Sequence, residues 1–500
     1  MKEGTSGISG FAGYVPPYRV SLEDWCGWTG NSWEKTRAVI GDGFRMPGPD
    51  QNAYTMAAEA ALRLILEHEV DPQAVGYLAL GTESSTDNAT SGAIVVRGLI
   101  DAALAARGLP PLARDLEAPE IKQACLGGIY GIKGALRYLQ VDGARRSAIV
   151  IASDIAEYAR GSSGEPTQGA GAVAMLMEND PKLLAIDLLR SASASRYRAL
   201  DFRKPFSRYC GQERLAGRRL HDFPVFNGKY STACYIDETI ASLDVFFARR
   251  RGARAAYYRD LGAVFMHRPY DRMPVAAWTL GYLFALAADG ATGQAELAEY
   301  AAAADVNWQA LLDEMGESPD LLGQALEGNL VEEPFPLAAR VARSFRAAPA
   351  YRAVVTEKMT LGSRVMRELG NLYAAALPAW LAAGLEEASE TDVDLQGKDI
   401  LLIGYGSGDA SEVLVATAAA GWRVAAAKSG MTAALRDPVD LDAVEYAALH
   451  DGSSAGMPLQ EEVGFAIDRV GTIDTLRLQD TGIEYYRYRE EGMASARTRT

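Results

Sequence analysis

A cysteine, a glutamate and a histidine each stand where a predicted element begins or ends. Cys125 precedes two glycines and opens a helical pattern, so a helix N-terminus with free N–H groups would favour its thiolate. Glu83 follows an apolar strand pattern, beside a crevice that would suit a general base. His267 follows another strand pattern and could donate a proton or polarise a carbonyl. Each also has a structural interpretation, as a buried thiol, an exposed loop carboxylate or a hydrogen-bonded core imidazole.

A glycine-rich turn also follows an apolar strand pattern. It reads Gly404-Tyr-Gly406-Ser407-Gly408, which lacks the GxGxxG spacing of a dinucleotide-binding loop. A tight turn of this kind can instead present a backbone N–H to a developing oxyanion.

Composition and charge narrow the class of protein. The chain of 500 residues has a formal net charge of −15, which argues against nucleic acid as the main partner. Its four cysteines contain no CxxC pair, so neither a disulfide framework nor a metal site is expected. The longest apolar stretch, Leu372–Leu385, contains Pro378 and is too short to span a membrane. We expect a cytoplasmic protein that does not contact a membrane.

The elements that must position these residues alternate between strand and helix. Apolar runs predict strands, and longer amphipathic runs between them predict helices. The strands are Val75–Gly81, Ser147–Ser153, Ala170–Met177, Leu261–Met266 and Asp399–Tyr405, and the helices include Met56–Glu69 and Ala124–Leu139. This alternation is typical of an α/β fold with buried sheets.

A coarse repeat is visible in the alternation. In the first half, a strand ends near Glu83, a helix opens around Cys125 and a strand ends at Asp154. In the second half, a strand ends at His267, a helix opens around Asn371 and a strand ends at the glycine turn. Two such halves would bring their reactive residues to one crevice, although a long α/β chain can show such order by chance. The Ala-rich segment between His267 and Asn371 falls outside the repeat and predicts a helical insertion.

Several motifs in a fixed order resemble those of the 3-hydroxy-3-methylglutaryl-CoA synthases of the thiolase superfamily. Residues 120–125 read EIKQAC, similar to the family segment that ends in Ala-Cys at the nucleophile. Residues 152–172 resemble its Asp-x-Ala-x-Tyr segment with the following Pro-Thr-x-Gly-x-Gly-Ala run. Further matches are Asp201-Phe202, Pro205, residues 227–231, residues 266–273, Gly370–Tyr373 and Gly404–Gly408. The resemblance spans roughly residues 7–490 without the insertion.

The resemblance implies a five-layer αβαβα thiolase fold made of two similar halves. We expect one thiolase-fold body over residues 1–500, with an N-terminal half at 7–185, a C-terminal half at 255–490 and a helical insertion at 275–362. It also implies a homodimer and a reaction that needs no cofactor and no metal, with acetyl-CoA and acetoacetyl-CoA as substrates.

The resemblance implies a role for each matched residue. Cys125 would carry the acetyl group, Glu83 would remove a proton from its methyl, and His267 would polarise the ketone of the second substrate. The backbone N–H groups of Cys125 and Ser407, the latter in the turn around Gly406, would bind the oxyanion. Asn371 and Tyr158 would support these groups, and the substrate-binding positions would be Asp201, Phe202, Pro205, Thr167 and Arg272.

Departures from the family pattern concern substrate choice. Leu126 stands where the family often has Tyr, Asn227 replaces the Asp of its Asp-Gly pair, and Arg272 replaces an expected Lys but could still meet a CoA phosphate. A basic cluster could bind CoA phosphates or an acyl carrier protein, or form a solvated surface. It comprises Arg196, Arg198, Arg203, Lys204, Arg208, Arg214, Arg218 and Arg219.

Two other functions remain open at this point. A thiolase or β-ketoacyl synthase would make a linear β-ketoacyl thioester, but Glu83 and Tyr158 with the Pro166-Thr167 run favour the synthase. A non-catalytic thiolase-fold scaffold would not need Glu83, Cys125 and His267 together. The sequence does not decide whether the substrates are bound to CoA or to a carrier protein.

Overall fold

A computed structural model describes residues 5–205, 223–452 and 464–489. Four members of the basic cluster, Arg208, Arg214, Arg218 and Arg219, lie outside the described residues. The strands are β1 Ser6–Tyr14, β2 Tyr18–Ser21, β3 Gly43–Met46, β4 Val75–Gly81, β5 Glu120–Ile121, β6 Ser147–Ala156, β7 Gly169–Asn179, β8 Leu184–Ser195, β9 Ala263–Met266, β10 Asp399–Gly406, β11 Ala410–Ala418, β12 Val439–Asp440, β13 Gly464–Val470 and β14 Glu484–Arg489.

The helices are distributed along the whole of the described chain. They are α1 Leu22–Thr29, α2 Trp33–Val39, α3 Ala53–Glu67, α4 Gly92–Ala106, α5 Gly127–Gln140, α6 Gly228–Ala248, α7 Arg254–Asp260, α8 Arg272–Ala288, α9 Gly290–Ala303, α10 Trp308–Gly316, α11 Leu321–Leu326, α12 Pro336–Phe345, α13 Pro349–Tyr351, α14 Glu357–Met359, α15 Ser363–Met366, α16 Ala376–Glu390, α17 Trp422–Ala426 and α18 Ala443–His450. Within the described ranges, no helix has the length and apolar character needed to cross a membrane.

The main sheet has the same strand order in its two parts. Among the described residues, nine strands hydrogen-bond in the order β5-β4-β6-β7-β1-β8-β11-β10-β9. In the first part, β4 runs parallel to β6, and β7 and β1 follow antiparallel. In the second part, β9 runs parallel to β10, and β11 and β8 follow antiparallel. The five predicted strands are confirmed, and the repeat seen in the sequence is a repeat of sheet topology. The bounds of the two halves as domains stay a prediction.

The central strands of the sheet are apolar at successive positions because both of their faces are buried. Alternate residues of β6 belong to two different cores: Ile149 and Ile151 pack with α3 and α4, whereas Ala148, Val150 and Ala152 pack with α5. Successive side chains of a strand point to opposite faces, so a strand between two layers must be apolar throughout. On the second part of the sheet, α6 packs against β8 and β11.

Helices α5 and α16 lie between the two parts of the sheet. Helix α5 packs on β4 and β6, and α16 packs on β9 and β10. The chain enters both helices through a residue with a left-handed backbone, Ala124 at φ 44° and Tyr373 at φ 43°. Such a conformation costs a residue with a side chain about 1 kcal/mol. The two entrances are close together, because a Cβ on Gly128 would lie 2.9 Å from the Ala374 carbonyl oxygen.

The predicted helical insertion is helical. Helices α8 to α15 occupy the segment between β9 and the turn before α16. Helix α10 lies in the middle of this segment, and Pro336 begins α12. The apolar faces of the helices in this insertion pack into the core on the second part of the sheet.

A buried ion pair connects α5 to the second part of the sheet. The Lys133 Nζ atom lies 2.6 Å from Oε2 of Glu412 on β11, and their side chains are 8% and 3% exposed. Breaking such a pair leaves one charge buried without a partner, which is far more costly than losing an exposed pair.

We therefore expect Lys133→Met to lower the free energy of unfolding by about 3 to 5 kcal/mol. Urea unfolding followed by circular dichroism measures the change. Glu357→Gln, which breaks the exposed Arg352–Glu357 pair (82% and 55% exposed), is the matched control and should change the midpoint little. Equal shifts in the two variants would contradict a structural role for the buried pair.

Candidate active site

Cys125 lies on a tight turn just before α5. The Leu126 N–H donates to the Gln123 carbonyl at 3.0 Å, and the Gly127 N–H donates to the Ala124 carbonyl at 3.3 Å. The turn directs Cys125 into a cavity of about 290 Å³. The predicted position near a helix N-terminus is therefore correct, with the first helical residue at Gly127.

Glu83 contacts the thiol directly. The Cys125 Sγ atom donates to Glu83 Oε1 at 3.2 Å. Burial raises the pKa of the Cys125 thiol well above its usual value, and the negative charge of Glu83 raises it further. The thiol is thus protonated in the resting site, and the carboxylate stands where it could also reach an acyl group attached to the sulfur.

Asp154, at the end of β6, holds the turn that carries Glu83. Its Oδ1 atom accepts hydrogen bonds from the Thr82 hydroxyl, the Glu83 N–H and the Ser84 hydroxyl, each at 2.8 Å. Its Oδ2 atom accepts the Ala374 N–H, also at 2.8 Å. Burial raises the pKa of Asp154 to about 6, against the opposing charge of Lys204 and the hydrogen bonds.

His267 and Asn371 come from the second half of the chain and line the same cavity. His267 follows β9 and is 2% exposed. Burial lowers the pKa of His267 to about 3, so the ring is neutral at pH 7. Among the described residues its Nδ1 atom has no hydrogen-bond partner. Asn371 is fixed by its backbone N–H, which donates to the Thr167 carbonyl at 3.0 Å.

The glycine turn at the end of β10 packs directly on the cysteine turn. A Cβ on Gly406 would lie 2.3 Å from the Gln123 carbonyl oxygen, so only glycine permits this approach. Leu126, which stands where the family often has Tyr, is fully buried beneath Gly404 and Gly406. Ser407 lines the cavity, which brings its backbone to the same region as Cys125.

A buried charge network lies behind the glycine turn. Arg198 has no exposed surface and pairs with Asp409, Asp237 and Glu238. The Tyr405 hydroxyl lies 2.9 Å from both Asp201 Oδ2 and Asp409 Oδ1. Burial and the neighbouring Asp201 raise the pKa of Asp409 to about 8. Cys234 joins Asp201 and Asp409 in a cluster that could hold a metal, but Arg198 already pairs with Asp409, so we assign no ion there.

Aromatic rings surround the thiol. Tyr158 lies edge-on to Phe226 with a centroid distance of 5.2 Å, and Phe202 lies edge-on to Tyr373 at 5.6 Å. Burial raises the pKa of Tyr158 to about 12, so its hydroxyl stays neutral. Such walls exclude water and strengthen the electrostatic effect of the few polar groups.

The structure brings most of the predicted site residues together, but not all of them. The predicted residues that line the cavity are Cys125, Tyr158, Thr167, Phe202, His267, Asn371 and Ser407. Asp201, a predicted substrate contact, is buried and holds Tyr405 and Gly408 instead of lining the cavity. Pro205 is exposed outside the lining, and Arg272 is exposed and donates to the Ala38 carbonyl at 2.9 Å.

Sequence reasoning missed several residues of the site. Asp154 was visible as a polar residue at a strand end, but its four hydrogen bonds involve residues from distant segments. The aromatic lining residues outside the predicted set are Phe226, Tyr235, Tyr270, Tyr373 and Tyr405. The segments that carry Tyr373 and Tyr405 were singled out, without a role for either ring.

Comparisons with known proteins agree with this arrangement. Residues 4–182 match the model of the hydroxymethylglutaryl-coenzyme A synthase N terminal region. The hydroxymethylglutaryl-CoA synthase of Enterococcus faecalis is 26% identical over 470 residues, which cover 93% of this chain and 97% of that protein. The synthase of Ganoderma lucidum is 28% identical over 418 residues, covering 81% of this chain and 77% of that protein.

Solved structures share the fold. MvaS in complex with 3-hydroxy-3-methylglutaryl coenzyme A superposes with a TM-score of 0.73 at 24% identity, covering 98% of this chain and all of that one. The curacin pathway HMG synthase in complex with holo donor-ACP superposes with a TM-score of 0.68 at 18% identity, covering 97% of this chain and all of that one. The predicted thiolase-like fold is thereby confirmed, and the N-terminal match and the relatives that align over most of this chain show that it is similar to hydroxymethylglutaryl-CoA synthases.

Proposed function

We propose that the protein is a condensing acyltransferase that joins an acetyl thioester to the β-keto carbon of a second thioester and releases a 3-hydroxy-3-methylglutaryl-type product. The observation that carries the proposal is the 3.2 Å contact of Glu83 Oε1 with Cys125 Sγ, because Cys125 lines a cavity that His267 and Asn371 also line. A nucleophile, a base and a neutral hydrogen-bond donor thus converge on one small space.

In the first step, the Cys125 sulfur attacks the carbonyl carbon of the acetyl thioester. The bond to the donor thiol breaks, and the proton of Cys125 leaves with that thiol. The negative charge that develops on the carbonyl oxygen would be held by the N–H groups of Cys125 and Ser407. The close packing of Gly406 on the cysteine turn supports this pairing, because it brings the two backbone segments together.

In the second step, Glu83 removes a proton from the acetyl methyl, and the resulting carbanion adds to the ketone carbon of the acceptor. The proton that Glu83 removed passes to the ketone oxygen, which becomes the product hydroxyl, while the neutral His267 donates a hydrogen bond to that oxygen and Asn371 supports it. The acyl tether makes the addition effectively intramolecular. In the last step, water cleaves the Cys125 thioester, which gives a free carboxylate and restores the thiol.

The carrier of each substrate is a separate part of the proposal. We propose that CoA thioesters are the substrates and that a carrier-bound acetyl group is the alternative donor. The solved structures of similar proteins with bound CoA ligands and with donor-ACP support both as partners of this fold. We further propose that the reaction needs no cofactor. We also propose that the protein is a homodimer, and sedimentation equilibrium would test this oligomeric state.

Intact-protein mass spectrometry tests the proposal directly. Incubation with acetyl-CoA should add one acetyl group to Cys125, and acetoacetyl-CoA should then remove it as 3-hydroxy-3-methylglutaryl-CoA is formed. Cys125→Ser should show no thioester adduct, because the nucleophile is lost. If acetyl-CoA leaves no adduct, an acetylated carrier protein is the next donor to test. Failure with both donors would favour a scaffold, and a linear β-ketoacyl product would favour a thiolase or β-ketoacyl synthase.

We expect Glu83→Ala to keep acylation and to lose condensation by about 10²- to 10⁴-fold. Glu83 disfavours the thiolate by its charge, so its removal does not weaken the nucleophile. The two steps are measured separately, as adduct formation with acetyl-CoA and as adduct decay with acetoacetyl-CoA. Asp87→Asn, at an exposed carboxylate on the same loop, is the control. Loss of acylation in Glu83→Ala would show that Glu83 is not simply the methyl base.

We expect condensation to slow as the pH falls through about 6, where Asp154 takes up a proton and weakens its hold on the Glu83 turn. His267, with a pKa lowered to about 3, adds no transition in this range. Protein stability should change in the opposite direction to the rate. Because the pKa of Asp154 is higher in the folded state than in the unfolded state, its contribution to the free energy of unfolding increases as the pH falls from 6 towards 4. Single-turnover decay of the acetyl-enzyme between pH 7 and 5 measures the rate. A transition that persists in Asp154→Asn would belong to another group.

A further inference from the structure

Lys204 reaches into the site from the segment that follows Asp201. Its Nζ atom donates to the Glu83 backbone carbonyl at 3.3 Å. The same atom lies 4.7 Å from the centroid of the Tyr373 ring. The side chain is half-buried, so its charge is less screened than that of a surface lysine. Lys204 therefore touches both the turn that carries the base and the turn that leads into α16.

Among the described residues, the other side chains whose charge acts most on the Cys125 thiol are acidic, whereas Lys229, which also lines the cavity, pairs with the exposed Glu332 at 2.5 Å. Glu83 lies at the end of β4 and Asp154 at the end of β6, and both oppose a negative charge on the sulfur. His267, after β9, is neutral at pH 7, and so is the Tyr158 hydroxyl after β6. The positive charge of Lys204 lowers the pKa of both Cys125 and Asp154, against the effect of burial. Lys204 thus supplies a positive charge that acts on both the thiol and the Asp154 carboxylate.

We propose that Lys204 is a positioning residue that makes Cys125 reactive, because its ammonium holds the Glu83 turn and offsets the carboxylates beside the sulfur. The proposal rests on the proposed function of Cys125 as the acyl carrier, but it concerns the thiol itself and can be tested without any substrate. The basic cluster was interpreted as a surface for CoA phosphates or a carrier protein, or as a solvated surface, whereas this member of it contacts the turn that carries Glu83.

The test is the pH dependence of Cys125 alkylation by iodoacetamide, followed by peptide mass spectrometry. Lys204→Met should move the profile to higher pH and slow alkylation at pH 8 by about threefold to tenfold, because the charge that favours the thiolate is lost. Lys204→Arg keeps the charge and should return the profile towards that of the unmodified protein. Lys204→Gln keeps a hydrogen-bond donor without the charge, and should resemble Lys204→Met.

Lys122→Met is the matched control, because Lys122 is exposed and stands three residues before Cys125. An unchanged profile in a folded Lys204→Met or Lys204→Gln protein would overturn the proposal, and so would an equal shift in Lys122→Met. Failure of the proposed function would appear differently, as an unmodified Cys125 in the wild-type protein after incubation with either acetyl donor. If the alkylation profile depends on Lys204 but no acetyl adduct forms, the effect of Lys204 on the Cys125 thiol is supported and the proposed reaction is not.

Discussion

The carboxylate of Asp154 is the contact on which the geometry of the site depends. It accepts four hydrogen bonds, three from the turn after β4 and one from the turn before α16. The turn that carries Glu83 and the entrance to α16 are therefore held by one side chain near the end of β6. Because a carboxylate accepts hydrogen bonds in fixed directions, Glu83 has little freedom relative to the sulfur.

Burying the Asp154 carboxylate has an energetic cost, which is seen as the raised pKa of this group. A charged carboxylate in a dry environment is unfavourable, even when donors satisfy it. A second buried acid, Asp409, directly follows the glycine turn and contacts Arg198. The Glu83 turn and the glycine turn thus each have a buried acid beside them, and both acids have raised pKa values. The site is pre-organised at the expense of stability, as is common for functional sites.

The sequence predicted the strand ends, with Glu83 and His267 just after them and Cys125 near the start of a helix, because these positions depend on local patterns of apolar residues. It also predicted the repeat, since topology follows the order of elements. It could not predict which carboxylate faces inwards. Asp201 looked like a substrate contact, yet it hydrogen-bonds to Tyr405 from more than two hundred residues away. Leu126 looked like a lost aromatic contact, whereas its burial beneath the glycine turn depends on packing between the two halves of the chain.

Ala124 and Tyr373, the residues with left-handed backbone before α5 and α16, show which residues occupy equivalent positions in the two halves of the chain. Cys125 follows Ala124 directly, and Ala374 follows Tyr373, each two residues before its helix begins. Equivalent positions in the two similar halves thus hold the thiol of Cys125 in one half and the methyl group of Ala374 in the other. Ala374 has no side-chain group that could act as a nucleophile, and its backbone N–H binds Asp154 of the first half instead. Two topologically equivalent positions thus differ: one presents a thiol to the cavity, and the other helps to fix the turn that carries Glu83.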